Sequence, residues 1–266
     1  MKPPQTIAIT GASSGLGAAL AREYSRPGRL IALGARSDER LAEVARVCSK
    51  GGAEVIWQQL DVTKPSQLSA WIEDIEQSRP IDLMIANAGI FSGHGSDGQL
   101  EEPPELFRQI ETNLIGTINT VNAVAEKMAS RNSGHIAMVS SLAALQPLAD
   151  APTYSASKAG IVAYGEAMRE YLADHQIIIS VILPGHIETA QTAVHVGKTP
   201  GMISTEKAAK IIHTNLDRGR TFIAFPQSMH LLVRLGRLLP WRMRALTNKP
   251  FRFYVKKPLN TGGKDD

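Results

Sequence analysis

Two kinds of segment alternate along this chain. Short, nearly unbroken apolar runs rich in β-branched residues recur at 6–10, 30–33, 55–60, 81–85, 135–139, 177–183 and 221–225. Such runs suit strands of a parallel sheet, which are buried on both faces and so lack the polar alternation of half-exposed strands. Between them lie longer mixed segments that predict helices over 16–25, 39–49, 66–77, 113–129, 152–174 and 205–217. Strand–helix repetition of this kind predicts the α/β class: one doubly wound parallel sheet of about seven strands, with helices on both faces. Residues 1–226 read as one domain, and 227–266 read as a separate C-terminal extension.

The first strand runs directly into Gly11-Ala12-Ser13-Ser14-Gly15-Leu16-Gly17, and a helix follows. Strand, glycine turn and helix N-terminus together suit a diphosphate, because glycines admit close backbone approach and the helix end offers free N–H groups. The spacing is Gly-x3-Gly-x-Gly rather than the commoner Gly-x-Gly-x2-Gly, and a plain tight connection is the competing reading. The second strand ends at Ala35-Arg36-Ser37, with no acid placed for a ribose 2′-hydroxyl. A guanidinium there suits a 2′-phosphate, so the expected cofactor is NADP rather than NAD.

Tyr154 and Lys158 stand four apart in a predicted helix and share a face. A free phenol, with a pKa of about 10, is a poor proton shuttle at neutral pH. A neighbouring ammonium is expected to favour the phenolate and bring the group toward acid/base work.

With these pieces the chain resembles a short-chain dehydrogenase/reductase over most of its length, with a Rossmann-type fold. In the family's order come the glycine turn; Asp61-Val62, which resembles the adenine-side acid; Asn87-Ala88-Gly89, which resembles the sheet-supporting motif; Asn113; Ser140-Ser141; the Tyr154/Lys158 pair; and Pro184, Gly185, Ile187 and Thr189 of a nicotinamide-side loop. The resemblance implies Asn113, Ser141, Tyr154 and Lys158 as catalytic residues. Ser141 is preferred to Ser140 for its distance from Tyr154. Tyr154 would exchange a proton with a carbonyl or alcohol oxygen, Ser141 would hold that oxygen, Lys158 would hold the nicotinamide ribose, and Asn113 would hold a relay water. The implied activity is hydride transfer between NADP(H) and a carbonyl/secondary alcohol pair. A non-catalytic NADP-sensing protein on the same fold is the alternative from a different class. The long helices flanking Ser141 are the expected homodimer or homotetramer interface.

Bulk numbers narrow the rest. A chain of 266 residues with 43% hydrophobic content can bury one large core. Its one cysteine, Cys48, permits no internal disulfide and reads as an inert thiol in a reducing compartment. No signal peptide and no spanning apolar run is evident, so the expected location is cytoplasmic or peripheral at the inner face of a membrane. No metal-ligand spacing stands out, and His94 and His186 are placed either at the mouth of the site or on a loop surface.

Charge then singles out the C-terminus. Residues 1–217 carry net −5, whereas 218–257 carry ten basic residues and no acid. Within that stretch Leu231, Leu232, Leu235, Leu238 and Leu239 form an apolar helical stripe beside Arg234 and Arg237, and Trp241, Arg242 and Arg244 follow Pro240. Such a segment suits an anionic membrane surface through 229–244, or packing against the domain or a second subunit; nucleic acid lacks a supporting motif. A scaffold driven by that segment, with catalysis secondary, is a third functional reading. Ile187, Ala190, Ala193, Val194, Val196 and Met202 in the loop 185–204, with Leu142, Leu145, Leu148 and Phe91, suggest an apolar pocket. A lipophilic substrate is therefore expected (a 3-keto lipid, a long-chain ketone or a sterol-like compound), with a small soluble carbonyl or sugar intermediate as the alternative.

Overall fold

The structure is a computed structural model that describes residues 3–95, 99–190, 192, 195–197, 199–249 and 252–255. Strands β1 (Thr6–Thr10), β2 (Leu30–Ala35), β3 (Glu54–Gln59), β4 (Leu83–Ala86), β5 (Gly134–Val139), β6 (Ile177–Pro184) and, after a short β7 (His195–Val196), β8 (Phe222–Phe225) make up the sheet. Seven of them pair in the order β3-β2-β1-β4-β5-β6-β8, all parallel. Successive strand residues point to opposite faces, so Ile7 and Ile9 join one core layer and Ala8 the other. The first layer is closed by α1 (Gly15–Tyr24), α2 (Asp38–Lys50) and α7 (Thr205–Asp217) through Leu20, Leu41, Val44 and Ile212. The second is closed by α3 (Pro65–Ser78), α5 (Gly116–Ser130) and α6 (Pro152–Tyr171) through Trp71, Ile72, Val121 and Ile161. Strand order reverses between β1 and β4, and a cleft opens there beyond the C-terminal ends of the strands. Cys48 is buried on α2, and burial pushes its thiol up from the ordinary value.

Helix edges differ from the sequence reading where local chemistry overrides periodicity. The helix expected over 113–129 is preceded by α4 (Pro103–Ile110), with a proline in its first turn where no N–H is needed. A π-helical turn (Glu111–Ile115) joins it to α5. The widened turn carries Asn113, fully buried, and brings its neighbour Thr112 to the cleft, and such turns are frequent at functional sites. The helix expected over 152–174 ends at Tyr171 and gives way to a 3₁₀ turn, Ala173–His175.

The C-terminal segment forms α8 (Gln227–Gly236) and α9 (Trp241–Asn248), separated by Pro240. It ends in β9 (Tyr254–Val255), which pairs antiparallel with β7. The stripe read as one helix through Leu239 therefore stops at Gly236. Among the described residues no helix is long and apolar enough to cross a membrane. No cluster of His, Cys, Asp and Glu could hold a metal ion among them either.

Candidate active site

A cavity of about 470 Å³ fills the cleft. Its floor is the turn after β1. Gly11 has φ +66°, and a Cβ there would stand 2.7 Å from Ala88 Cα. A Cβ on Gly17 would meet the Gly11 carbonyl oxygen at 2.2 Å, so α1 approaches the turn as closely as it does only because that position is glycine. Asn87 fixes the turn from the other side: its Nδ2 donates to the carbonyls of Thr10 (3.1 Å) and Gly11 (3.2 Å). The Asn87 and Ala88 N–H groups donate to Thr10 Oγ1. Every residue that the sequence analysis placed at the cofactor lines this cavity.

At the far end Arg36 and Ser37 stand at the C-terminal edge of β2. Arg40, one turn into α2, lines the same end, and its Nε donates to Ser37 Oγ at 3.2 Å. Arg40 went unnoticed in the sequence; its spacing of four from Arg36 was the available signal. A glycine cradle at a helix N-terminus, with two guanidiniums at the adenosine end, fits a phosphorylated dinucleotide.

Tyr154 and Lys158 lie in the first turns of α6, with Lys158 Nζ 5.7 Å from the centre of the tyrosine ring. The Lys158 ammonium is buried and donates to the Val139 carbonyl at 2.9 Å, and burial pulls its pKa down to about 8. Burial pushes the Tyr154 phenol up, offset in part by a hydrogen bond with Ser141. The expected lowering of the phenol by the lysine is thus overturned in this structure: desolvation of both groups dominates. Ser141 caps a short 3₁₀ turn, accepting from Ala143 N at 3.1 Å. Ser140 instead donates its hydroxyl to the Lys158 carbonyl at 2.7 Å, so the two adjacent serines are distinguished by direction.

Asn113 is braced rather than open. Its Oδ1 accepts from Ile90 N (2.7 Å), and its Nδ2 donates to Ile90 O (2.9 Å) and Ser157 Oγ (3.2 Å). Its own carbonyl accepts from Thr117 Oγ1 at 2.7 Å. Asn113 therefore holds the segment after β4 against α6. Gly89 keeps that junction thin, since a Cβ there would come 3.2 Å from Asn113 Oδ1 and 3.5 Å from Lys158 Nζ. Thr189 forms a closed turn with Thr192, each main-chain N–H donating to the other's hydroxyl (2.9 and 3.2 Å).

A second cavity, of about 720 Å³, adjoins the first, and Ser141, Tyr154, Gly185 and Thr192 line both. Phe91, Leu142 and Leu148 form part of its wall as expected, and His186 lines it whereas His94 does not. Leu145 packs on the core instead. Of the loop's apolar residues named above, Ile187 and Ala190 face the cofactor cavity, Val196 is in β7, Met202 is exposed and lines neither cavity, and Ala193 and Val194 lie outside the described residues; from the loop Pro200 lines the second cavity. Much of the remaining apolar lining comes from the C-terminal segment, through Met229, Leu232, Val233, Leu235, Leu239, Trp241 and Phe253. No local periodicity shows this, because the contact spans most of the chain. The Phe91 ring meets the Tyr154 ring edge-on, with centroids 4.8 Å apart, and Phe253 stands 6.2 Å from Phe91.

The C-terminal strap is fastened to the site. The Asp150 carboxylate is buried and accepts from Arg252 Nε (2.6 and 2.7 Å) and from Phe253 N (3.1 Å). The Asp150 carbonyl accepts from His94 N at 2.8 Å, and the His94 carbonyl accepts from Val255 N at 2.9 Å.

A family model described as short chain dehydrogenase matches residues 5–200. A ketoacyl reductase of Nostoc sp. is 30% identical over 89% of this chain and 85% of its own. A 3-dehydrosphinganine reductase of Arabidopsis thaliana is 30% identical over 80% of this chain and 67% of its own. Among solved structures, a short-chain dehydrogenase from Sphingobium yanoikuyae in complex with NADPH superposes with a TM-score of 0.75 at 25% identity, covering 91% of this chain and 95% of that one. The chain belongs to the short-chain dehydrogenase family and is an oxidoreductase with a nicotinamide-binding fold.

Proposed function

We propose that this short-chain dehydrogenase reduces a lipophilic ketone to a secondary alcohol with NADPH, and that Tyr154 gives the proton. The observation that carries the reading is the shared wall: Tyr154 and Ser141 face a dinucleotide-sized cavity on one side and an apolar cavity on the other. Gly11, Gly15, Gly17 and the α1 N-terminus would hold the diphosphate, and Arg36 with Arg40 would hold a 2′-phosphate. When bound, the cofactor supplies the hydride.

The protein's own residues do the rest. The raised phenol keeps Tyr154 protonated at neutral pH, so it can donate to the carbonyl oxygen as negative charge gathers there. The Ser141 hydroxyl, which lines both cavities with Tyr154, stabilises the same oxygen. Lys158, held by Val139, places a positive charge beside the phenolate that remains. Phe91, Leu142 and the C-terminal segment exclude water from the reacting oxygen. The apolar lining favours a long-chain or 3-keto lipid over a sugar, and the two reductases among the relatives agree with that class. The basic segment 229–244 is read as peripheral to a membrane.

The test is NADPH and NADH oxidation with ketones of increasing chain length, beside Tyr154→Phe, Arg36→Ala and Arg40→Ala. Long-chain turnover with NADPH, lost in Tyr154→Phe, is expected. Removing either arginine should narrow the NADPH preference about tenfold or more, as loss of a charge-assisted bond implies. Turnover restricted to small polar ketones would refute the lipophilic assignment. Cofactor binding without turnover of any ketone would favour the sensing alternative.

A further inference from the structure

Seven large apolar side chains of the C-terminal segment stand in solvent. Leu231 is 60% exposed, Leu238 80%, Trp241 68% and Leu246 72%, and Leu232, Leu235 and Met243 are each more than half exposed. Six of the seven lie on α8 and α9 and Leu238 lies in the connection between them, more exposed apolar surface in one short segment than scattered surface residues explain. Three of the seven, Leu232, Leu235 and Trp241, also line the 720 Å³ cavity. The cavity therefore reaches this face at those three residues.

Charge identifies what covers the face. Arg234 lies on α8 among the leucines, Arg237 caps its C-terminal end, and Arg242 stacks on Trp241, its guanidinium 5.5 Å from the ring centre. These three arginines form no ion pair among the described residues. The whole stretch 218–257 contains no acid that could neutralise them. A second copy of the chain would bring like charge against like, which is unfavourable. An anionic bilayer offers both halves of the complement: phosphates for the arginines, and acyl chains for leucines and a tryptophan at the interface.

We infer that α8 and α9 dock on an anionic membrane surface and that the mouth of the substrate cavity opens into that surface, so that a lipid substrate enters from the bilayer without crossing water. This rests on the lipophilic-ketone reading and adds the route and the partner to it. Leu231 and Leu238 are exposed and do not line the cavity, so they serve docking, whereas Leu232, Leu235 and Trp241 belong to the shared rim.

The full chain is tested by co-flotation with phosphatidylglycerol-containing and pure phosphatidylcholine vesicles. The variants are Arg234→Gln with Arg237→Gln, and Leu231→Ser with Leu238→Ser. The wild type should partition to the anionic vesicles, and the arginine pair should weaken this about 25-fold, roughly fivefold for each charge. Both variants should reduce a short soluble ketone at the wild-type rate but lose turnover of a long-chain ketone dissolved in the vesicles. Indifference of the wild type to both vesicles, or equal affinity for both, would overturn the inference. So would a wild-type dimer that the leucine pair dissociates, since a second copy would then own the face. Failure to oxidise NADPH with any ketone while vesicle binding persists would count against the reductase reading alone.

Discussion

Arg252→Ala should open the C-terminal strap without unfolding the domain. Arg252 and the Phe253 N–H supply the donors to the Asp150 carboxylate, which is itself buried. Stripping a fully buried carboxylate of its charged partner costs roughly 3–5 kcal/mol. Here the arginine side chain is 58% exposed, and the strap can lift to let water reach Asp150, so the penalty is better placed at about 1–2 kcal/mol. That energy falls on the closed strap rather than on the fold, because β7 and β9 are two residues each and lie outside the seven-stranded sheet. The closed population should drop about 5- to 30-fold relative to the open one. Two measurements read it. Amide exchange at Val255, whose N–H donates to His94, should accelerate by that factor. The KM for a long-chain ketone that reaches Phe253 should rise with kcat nearly unchanged, whereas a short ketone should show little change. Unaltered Val255 exchange together with unaltered long-chain KM would refute the assignment of Asp150–Arg252 as the fastening.

Three further outcomes follow from the geometry. Affinity for NADPH should fall as pH rises through about 8, where Lys158 loses its charge, and fluorescence titration on either side of that value should find the dependence absent in Lys158→Met. His135 is buried, its Nε2 lies 2.7 Å from Ser180 Oγ, and its pKa is pulled down to about 4; because Ser180 donates to Arg220 O, the imidazole is the donor of the pair. The unfolded chain therefore takes up a proton near the ordinary value of 6.5 while the native state does not, so stability falls on acidification by up to about 3 kcal/mol; urea midpoints should show this loss flattened in His135→Leu. Gly17→Ala drives a Cβ to within 2.2 Å of the Gly11 carbonyl and should displace α1, lowering NADPH affinity about 10- to 100-fold in direct titration.

Much of the central sheet was legible because parallel strands bury both faces and print as apolar runs: β1, β2 and β6 sit within two residues of their expected edges. The first turns of α4 were not, since Glu101 to Pro104 offer charge and prolines rather than periodicity, and proline at a helix start reads equally well as a break. The glycine turn, the Tyr154/Lys158 pair and Arg36 announced themselves through residue type and spacing. The protonation behaviour of that pair did not, because burial depends on the whole site and outweighs what two neighbours on a helix suggest. The apolar wall was legible only in part. Sequence reading placed it in the loop after β6 with Phe91, Leu142, Leu145 and Leu148; of these Phe91, Leu142 and Leu148 do line it, and the rest of the apolar lining comes largely from residues more than seventy positions beyond Tyr154, a pairing that only the tertiary fold creates.

The family match stops at residue 200, and α8, α9 and the strap all come after it. On the proposed reading the groups for hydride transfer all lie before that point, whereas the C-terminal part of the substrate wall lies after it. A descendant gene could keep the sheet, the glycine turn and Tyr154 intact while drifting, or even exchanging, the codons beyond α7. Each such change would present a different compound to an unaltered reaction centre.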